Sequence, residues 1–156
     1  GKSTSVGMAT GAVSGLVGVT PAAGFVNPTS GMIIGLITSI LCYYSIKLKN
    51  KLQFDDSLDT FAVHGVGGTA GALLTGVFAS YDLISNHPAG QVLLEKGRIA
   101  LVLGQFQAII VAYTISAIGT LLIALILKKT GIHLRVSKVE EEKGLDFAEH
   151  GEQSYT

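Results

Sequence analysis

Within residues 61–79, FAVHGVGGTAGALLTGVFA, a single side chain can exchange a proton: His64. A neutral imidazole carries one donor and one acceptor nitrogen, so it can hydrogen-bond a small passing base or relay its proton. An ionisable group in so apolar a stretch is costly in a bilayer, and it usually faces a bundle interior or a water-filled cavity. The structural alternative is a histidine hydrogen-bonded to a neighbouring helix. Asp59 precedes His64 by five residues, a spacing that sends the two side chains in different directions on a helix, and no nucleophile accompanies them. Enzyme chemistry is therefore not expected.

The segment that must carry His64 begins at DDSLD. Asp55, Asp56 or Ser57 is expected to cap it, and Asp59 falls within its first turn, where a carboxylate complements the positive helix end. Charged residues make up 14% of the chain, against roughly 25% in soluble domains. The apolar residues cluster into four stretches, at about 4–20, 28–46, 58–80 and 99–127. Each approaches or exceeds the roughly 20 residues needed to cross the hydrocarbon. The expected fold is all-α and polytopic, with a transmembrane region over 1–129 and a polar tail over 130–156. The first stretch is rich in Gly and leads into another span, so it does not read as a cleaved signal.

Basic residues favour the cytoplasmic side of short loops. Lys2, Lys47, Lys49, Lys51, Lys128, Lys129, Arg135, Lys138 and Lys143 fall on one side, and Lys96 and Arg98 on the other. Both ends and the 47–57 connector are therefore expected in the cytoplasm of a multi-pass cell-membrane protein, with the 20–28 and 81–98 connectors outside. Tyr43 and Tyr44 suit an inner interfacial belt and Tyr81 an outer one. Cys42, the one cysteine, has nothing basic beside it and reads as a buried, inert thiol.

Gly7, Gly11 and Gly15 share a face of the first span, where a second backbone can approach closely. Gly68 and Gly71 lie four and seven residues beyond His64 and are expected on its face. His87, before a proline in the outer connector, reads as solvated, and Gln105 and Gln107 receive no chemistry. The sequence has no zinc-ligand spacing, phosphate-binding glycine loop or basic patch for nucleic acid, so neither a metal nor a cofactor is expected.

Three segments, GMATGAVSGLVGVTPAAGFVNP, DDSLDTFAVHGVGGTAGALLTGVFA and GLDFAEHGEQSY, occur in that order. Together they resemble the last four helices and C-terminal tail of the Amt/Mep ammonium transporters. The resemblance implies a homotrimer of eleven-helix subunits, each with a narrow hydrophobic pore containing two facing histidines. His64 matches the second of these, while Asp59, Phe61 and Gly65 match the pore-helix motif. The first pore histidine, the outer phenylalanine gate and the outer cation site belong to earlier helices of the family, so this chain is expected to be the final part of a subunit. The substrate implied is ammonium or ammonia. Gly144, Asp146, His150 and Gly151 match the regulatory tail, which in many prokaryotic members helps bind a PII-type regulatory protein. The alternative function is accordingly an ammonium sensor or scaffold that recruits such a partner. Phe147 and Ala148 follow GLD where the plant-type tail carries a phosphorylatable threonine, so no phospho-switch is expected at that point.

Overall fold

The structure is a computed structural model that describes residues 4–152. The described residues form helices and turns, with no strand among them. Two compact units divide between Val111 and Ala112, within a long helix.

Helix α1, Ser5–Val19, starts where the Thr4 hydroxyl accepts a hydrogen bond from the Gly7 amide at 3.0 Å. It tightens into a 3₁₀ turn, Thr20–Ala22, at Pro21. Helix α2, Pro28–Lys51, is capped by the Asn27 side chain, which accepts from the Ser30 amide at 2.9 Å, and carries Pro28 in its first turn, where a missing N–H costs nothing. It ends with Lys49 and Lys51 beside its negative pole. A π-helical turn, Phe61–Val66, leads directly into α3, Gly67–Phe78.

These helices pack through small residues. An added Cβ on Gly15 would lie 3.4 Å from the Gly35 carbonyl oxygen; one on Gly18 would lie 2.3 Å from the Thr38 hydroxyl oxygen; and one on Gly71 would lie 2.2 Å from the Gly18 carbonyl oxygen. The backbones of α1 and α3 therefore meet at Gly18 and Gly71, the Thr38 side chain of α2 fills the other side of Gly18, and the α1 and α2 backbones approach at Gly15 and Gly35. Of the expected glycine face on α1, Gly15 meets α2; among the described residues, nothing beyond its own helix backbone lies within 4 Å of where a Gly11 side chain would begin and Gly7 meets only Thr4, and the tightest contact is at Gly18. Gly11 contributes instead through its carbonyl, which accepts from the Ser39 hydroxyl at 3.1 Å.

The expected 81–98 loop is largely helical. A short helix α4, Tyr81–Ile84, precedes α5, Pro88–Lys129, which breaks at Gly97 with φ 78° and ψ 176°. The stretch after the break, 98–129, is about 48 Å long at 1.5 Å per residue, longer than the roughly 30 Å hydrocarbon. A cluster of Ala79, Ile84 and Leu101, joined by Phe25, Ala89, Val92 and Leu93, closes this end of the first unit. His87 is exposed, yet its ring stands edge-on to Phe25 at 5.4 Å and its Nδ1 accepts from the Ala89 amide at 3.1 Å, so it is a docked capping residue rather than a freely solvated one.

Among the described residues, four helical segments are long and apolar enough to cross a membrane: Ser5–Ala22, Pro28–Lys51, Phe61–Phe78 and Pro88–Lys129. They overlap the four stretches expected from hydropathy, the last beginning at Pro88 rather than near residue 99. In the second unit, α6, Lys138–Lys143, is followed by a π-helical turn, Asp146–His150. Residues 153–156, the end of the expected tail, lie outside the described residues.

Candidate functional site

His64 sits inside the π-helical turn, one of the irregularities that recur at functional sites. Two neighbours in that turn, Ala62 and Val63, are buried, whereas His64 is exposed. The turn is held from behind by α2: the Cys42 thiol donates to the Val63 carbonyl at 3.8 Å. Cys42 is buried, as its neighbours in sequence suggested, and its hydrogen bond gives it a specific place.

The helix carrying His64 has two different faces. Gly67, Gly71 and Thr75, spaced by four, are buried. A Cβ on Gly67 would lie 3.0 Å from the Cys42 sulfur, and Gly71 sits on the backbone of Gly18. Gly68, four residues after His64, has nothing within 4 Å of where a Cβ would stand. The expectation that His64, Gly68 and Gly71 share one face is therefore corrected. Gly68 accompanies the open imidazole, whereas Gly71, only about 60° from it around a regular helix, already lies against the Gly18 backbone, so the edge of the packed face runs between them.

Phe61 and Gly65 form one feature. The Phe61 ring lies over Gly65, so close that a Cβ there would come within 3.0 Å of its Cδ2, and the same ring is 6.4 Å from that of Phe54. A glycine at 65 is what lets the aromatic ring fold back over its own helix.

Asp56 takes the capping role expected of Asp55, Asp56 or Ser57, whereas Asp59, expected to complement the helix end, is paired with a lysine. Asp56 is the cap: its two oxygens accept from the amides of Thr60 and Phe61, each at 2.9 Å. Asp59 has a left-handed backbone, φ 55°, and its side chain forms an ion pair with Lys49 at 2.5 Å. Its backbone carbonyl still accepts from the Val63 amide at 2.9 Å. Lys49 also donates to the Asp56 carbonyl, so one lysine at the end of α2 touches both Asp56 and Asp59. Asp59 borders a groove of about 530 Å³ between α1 and α2 that Thr10, Ser14, Ser39 and Tyr43 line with hydroxyls; His64 is not among the residues lining it.

The far end of α3 has its own cation. Arg98, immediately after the break in α5, donates to the carbonyls of Val77 at 2.6 Å and Ala79 at 3.0 Å, which the helix end leaves without partners. Sequence reasoning missed both Lys49 and Arg98, since each acts on a segment distant in sequence and neither lies in a local motif.

The tail residues belong to the second unit. Gly144, φ 89°, ends α6; Asp146 and His150 begin and end the following π turn; and Gly151, φ 65°, closes it, donating to the Phe147 carbonyl at 3.2 Å. The Ser137 hydroxyl and the Glu140 carboxylate form a capping box at the start of α6. The Ser137 hydroxyl and amide both donate to Glu140 and hold its carboxyl below the ordinary range.

Hydrophobic spans that pack by glycine, with one imidazole on an open helix face, define a polytopic helical membrane protein. Comparison with known proteins gives the family: the profile of the Ammonium Transporter Family matches residues 1–155, and the chain belongs to that family. It is 46% identical over 156 residues to an ammonium transporter of Aquifex aeolicus, covering 99% of this chain and 35% of the relative. To an ammonium transporter of Bacillus subtilis it is 41% identical, covering 99% of this chain and 37% of the relative. Among solved structures it resembles Saccharomyces cerevisiae Mep2 with TM-score 0.66 and 34% identity, over 88% of this chain and 31% of that one. The chain thus spans little more than a third of the length of the relatives it matches.

Proposed function

We propose that this chain supplies the last four helices and the cytoplasmic tail of an ammonium transporter subunit in the cell membrane, with His64 lining the conduction path. The observation that carries the reading is the exposed imidazole beside the unobstructed Gly68 on an apolar helix. A bilayer penalises such a group against lipid, and further helices of the subunit would enclose it as the wall of a passage.

The physical logic favours ammonia as the species that crosses. A bare ammonium ion entering a dry passage loses hydration worth, in the idealised limit, on the order of tens of kcal/mol, whereas ammonia loses only hydrogen bonds. Deprotonation before passage lowers that barrier. His64 then offers an acceptor or a donor to the neutral molecule, or takes the proton it releases. Asp59, Phe61 and Gly65 act on the turn that presents it.

Replacing His64 with Ala removes this partner, at a cost of about 1–3 kcal/mol in a dry site. Uptake should slow by roughly five- to over a hundred-fold if that loss falls on the limiting barrier. The measurement is ammonium uptake and current in liposomes holding a full-length subunit that carries these residues, comparing wild type, His64→Ala and His64→Glu with potassium as competitor. Wild-type rate and selectivity in both correctly assembled variants would reduce His64 to a packing residue.

The proposal extends to a homotrimer and to a PII-type partner docking on the tail. The capping box that organises α6, and the glycines that end it and the following turn, support a tail with a defined surface. A pure sensor would bind the partner without moving ammonium; the liposome measurement, made without any partner, separates the two.

A further inference from the structure

We propose that Lys49 is a positioning residue for His64, acting through its ion pair with Asp59. The inference rests on the reading of His64 as the conduction-path histidine and concerns what holds that imidazole in place.

Asp59 occupies a left-handed backbone conformation, φ 55°, which a non-glycine residue adopts only at a cost. Lys49 pairs with its carboxylate at 2.5 Å and donates to the carbonyl of Asp56, on the other side of the bend, the same carbonyl that accepts from the Asp59 amide at 3.2 Å. The bend in turn fixes how the next helix starts. Asp56 caps it through Thr60 and Phe61, the Asp59 carbonyl accepts from Val63, and the turn that follows is π-helical. A π turn holds one residue more than an α turn over the same rise. If the bend relaxes and the turn reverts to α-helix, the residues on its N-terminal side rotate by about 100°, the angle of one residue. His64 lies within that turn, whereas Gly67, Gly71 and Thr75 beyond it are pinned against α1 and α2. The packed face therefore cannot follow, and the register error falls on the imidazole.

Lys49 is well placed for this task. Its side chain is 11% exposed, against 27% for Asp59, and the alternative cations on the same helix end, Lys47 and Lys51, are exposed. Lys47 is engaged elsewhere, over the Tyr43 ring at 4.6 Å. The contact joins the end of α2 to the start of the His64 helix, and Cys42, two turns earlier on α2, secures the same π turn through the Val63 carbonyl.

The test uses the full-length subunit carrying these residues, with Asp59→Asn, Lys49→Gln, Lys49→Arg and the Lys49→Gln/Asp59→Asn double variant. Asn tolerates the left-handed region as Asp does, so Asp59→Asn removes the charge without adding backbone strain. Two readouts are taken in liposomes: the saturating rate of ammonium uptake, and the imidazole nitrogen resonance of His64 in histidine-labelled protein, assigned by its loss in His64→Ala. Asp59→Asn and Lys49→Gln should each move the His64 resonance and lower the saturating rate at least five-fold, with the double variant no slower than the slower single. Lys49→Arg should restore both. An unmoved His64 resonance in Asp59→Asn overturns the proposal whatever the rate does. A moved resonance with wild-type uptake upholds the positioning role and counts against His64 as the conduction residue, so the two readings fail separately. If Lys49→Gln does not assemble, Asp59→Asn, which changes only one atom pair, decides alone.

Discussion

The two faces of α3 use the same residue type for opposite ends. On the packed face Gly71 is indispensable because a backbone carbonyl of α1 occupies the place of its missing side chain; on the open face Gly68 leaves space that nothing among the described residues fills. Small residues in a membrane helix thus have no single meaning. At Gly71 the absent Cβ lets two helices touch, and at Gly68 it leaves room beside His64. Only the neighbours distinguish the cases.

The sharpest way to break this comparison is to add one methyl group to each face. Gly71→Ala places a Cβ 2.2 Å from the Gly18 carbonyl oxygen, and a backbone cannot yield as a side-chain tip can. Destabilisation at or above the top of the roughly 1–3 kcal/mol range for overpacking is expected, seen as a loss of assembled protein or a clear drop in melting temperature in detergent. Gly68→Ala should have the opposite sign, since replacing a helical glycine at an unobstructed position gains about 0.5–1 kcal/mol. Gly68→Leu should assemble normally and yet slow ammonium uptake, because the added bulk would stand beside His64. Equal losses of assembly for the alanine variants at 68 and 71 would remove the distinction between the faces.

A smaller effect is expected at the C-terminal end of the same helix. Arg98 donates to carbonyls of Val77 and Ala79 that have no helical partner. Arg98→Gln loses the charge and most of that reach, and because the residue is exposed the cost should be about 1 kcal/mol. Amide hydrogen exchange near residues 75–80 should quicken while exchange around His64 stays as it was. Faster exchange at both ends would mean that α3 opens as one unit.

These contrasts also mark what could be read from sequence. The four spans were legible because hydropathy integrates over twenty residues and tolerates errors at the edges. His64 was legible because an ionisable group stands out in an apolar run. The partition of Gly68 from Gly71 was not, since a spacing of seven residues from His64 suggests a shared face only if the intervening helix is regular, and the first turn here is π-helical. The separate tasks of Asp56 and Asp59 were hidden for a similar reason: both lie at a helix start, where capping is the default, and the pairing with Lys49 depends on a bend that no local signal announces. The 81–98 connector looked like a loop because Gly and Pro punctuate it, yet Pro88 starts a helix and Gly97 interrupts it.

The mildest prediction concerns the tail, whose helix α6 relies on a charge that the spans lack. Glu140 accepts hydrogen bonds from the hydroxyl and the amide of Ser137, and its carboxyl is held below its ordinary value of 4.5. A carboxylate with a depressed value in the folded state favours folding wherever it is ionised. That contribution is therefore complete above the ordinary value and is lost as the pH falls through the depressed one. At neutral pH α6 should hold its capped form, and acidification below pH 4.5 should lower the protection of the amides at residues 138–143, measured as exchange relative to the intrinsic rate at each pH. Ser137→Ala removes both the hydroxyl that donates to Glu140 and the acceptor for the Glu140 amide, so protection there should already be low at neutral pH and respond less to acid. The three spans that meet at Gly18 contain no such carboxylate, and their amides should not respond over the same interval. An acid response shared by the spans and α6 would show that the tail is not an independently frayed element, and would place its stability in contacts other than the capping box.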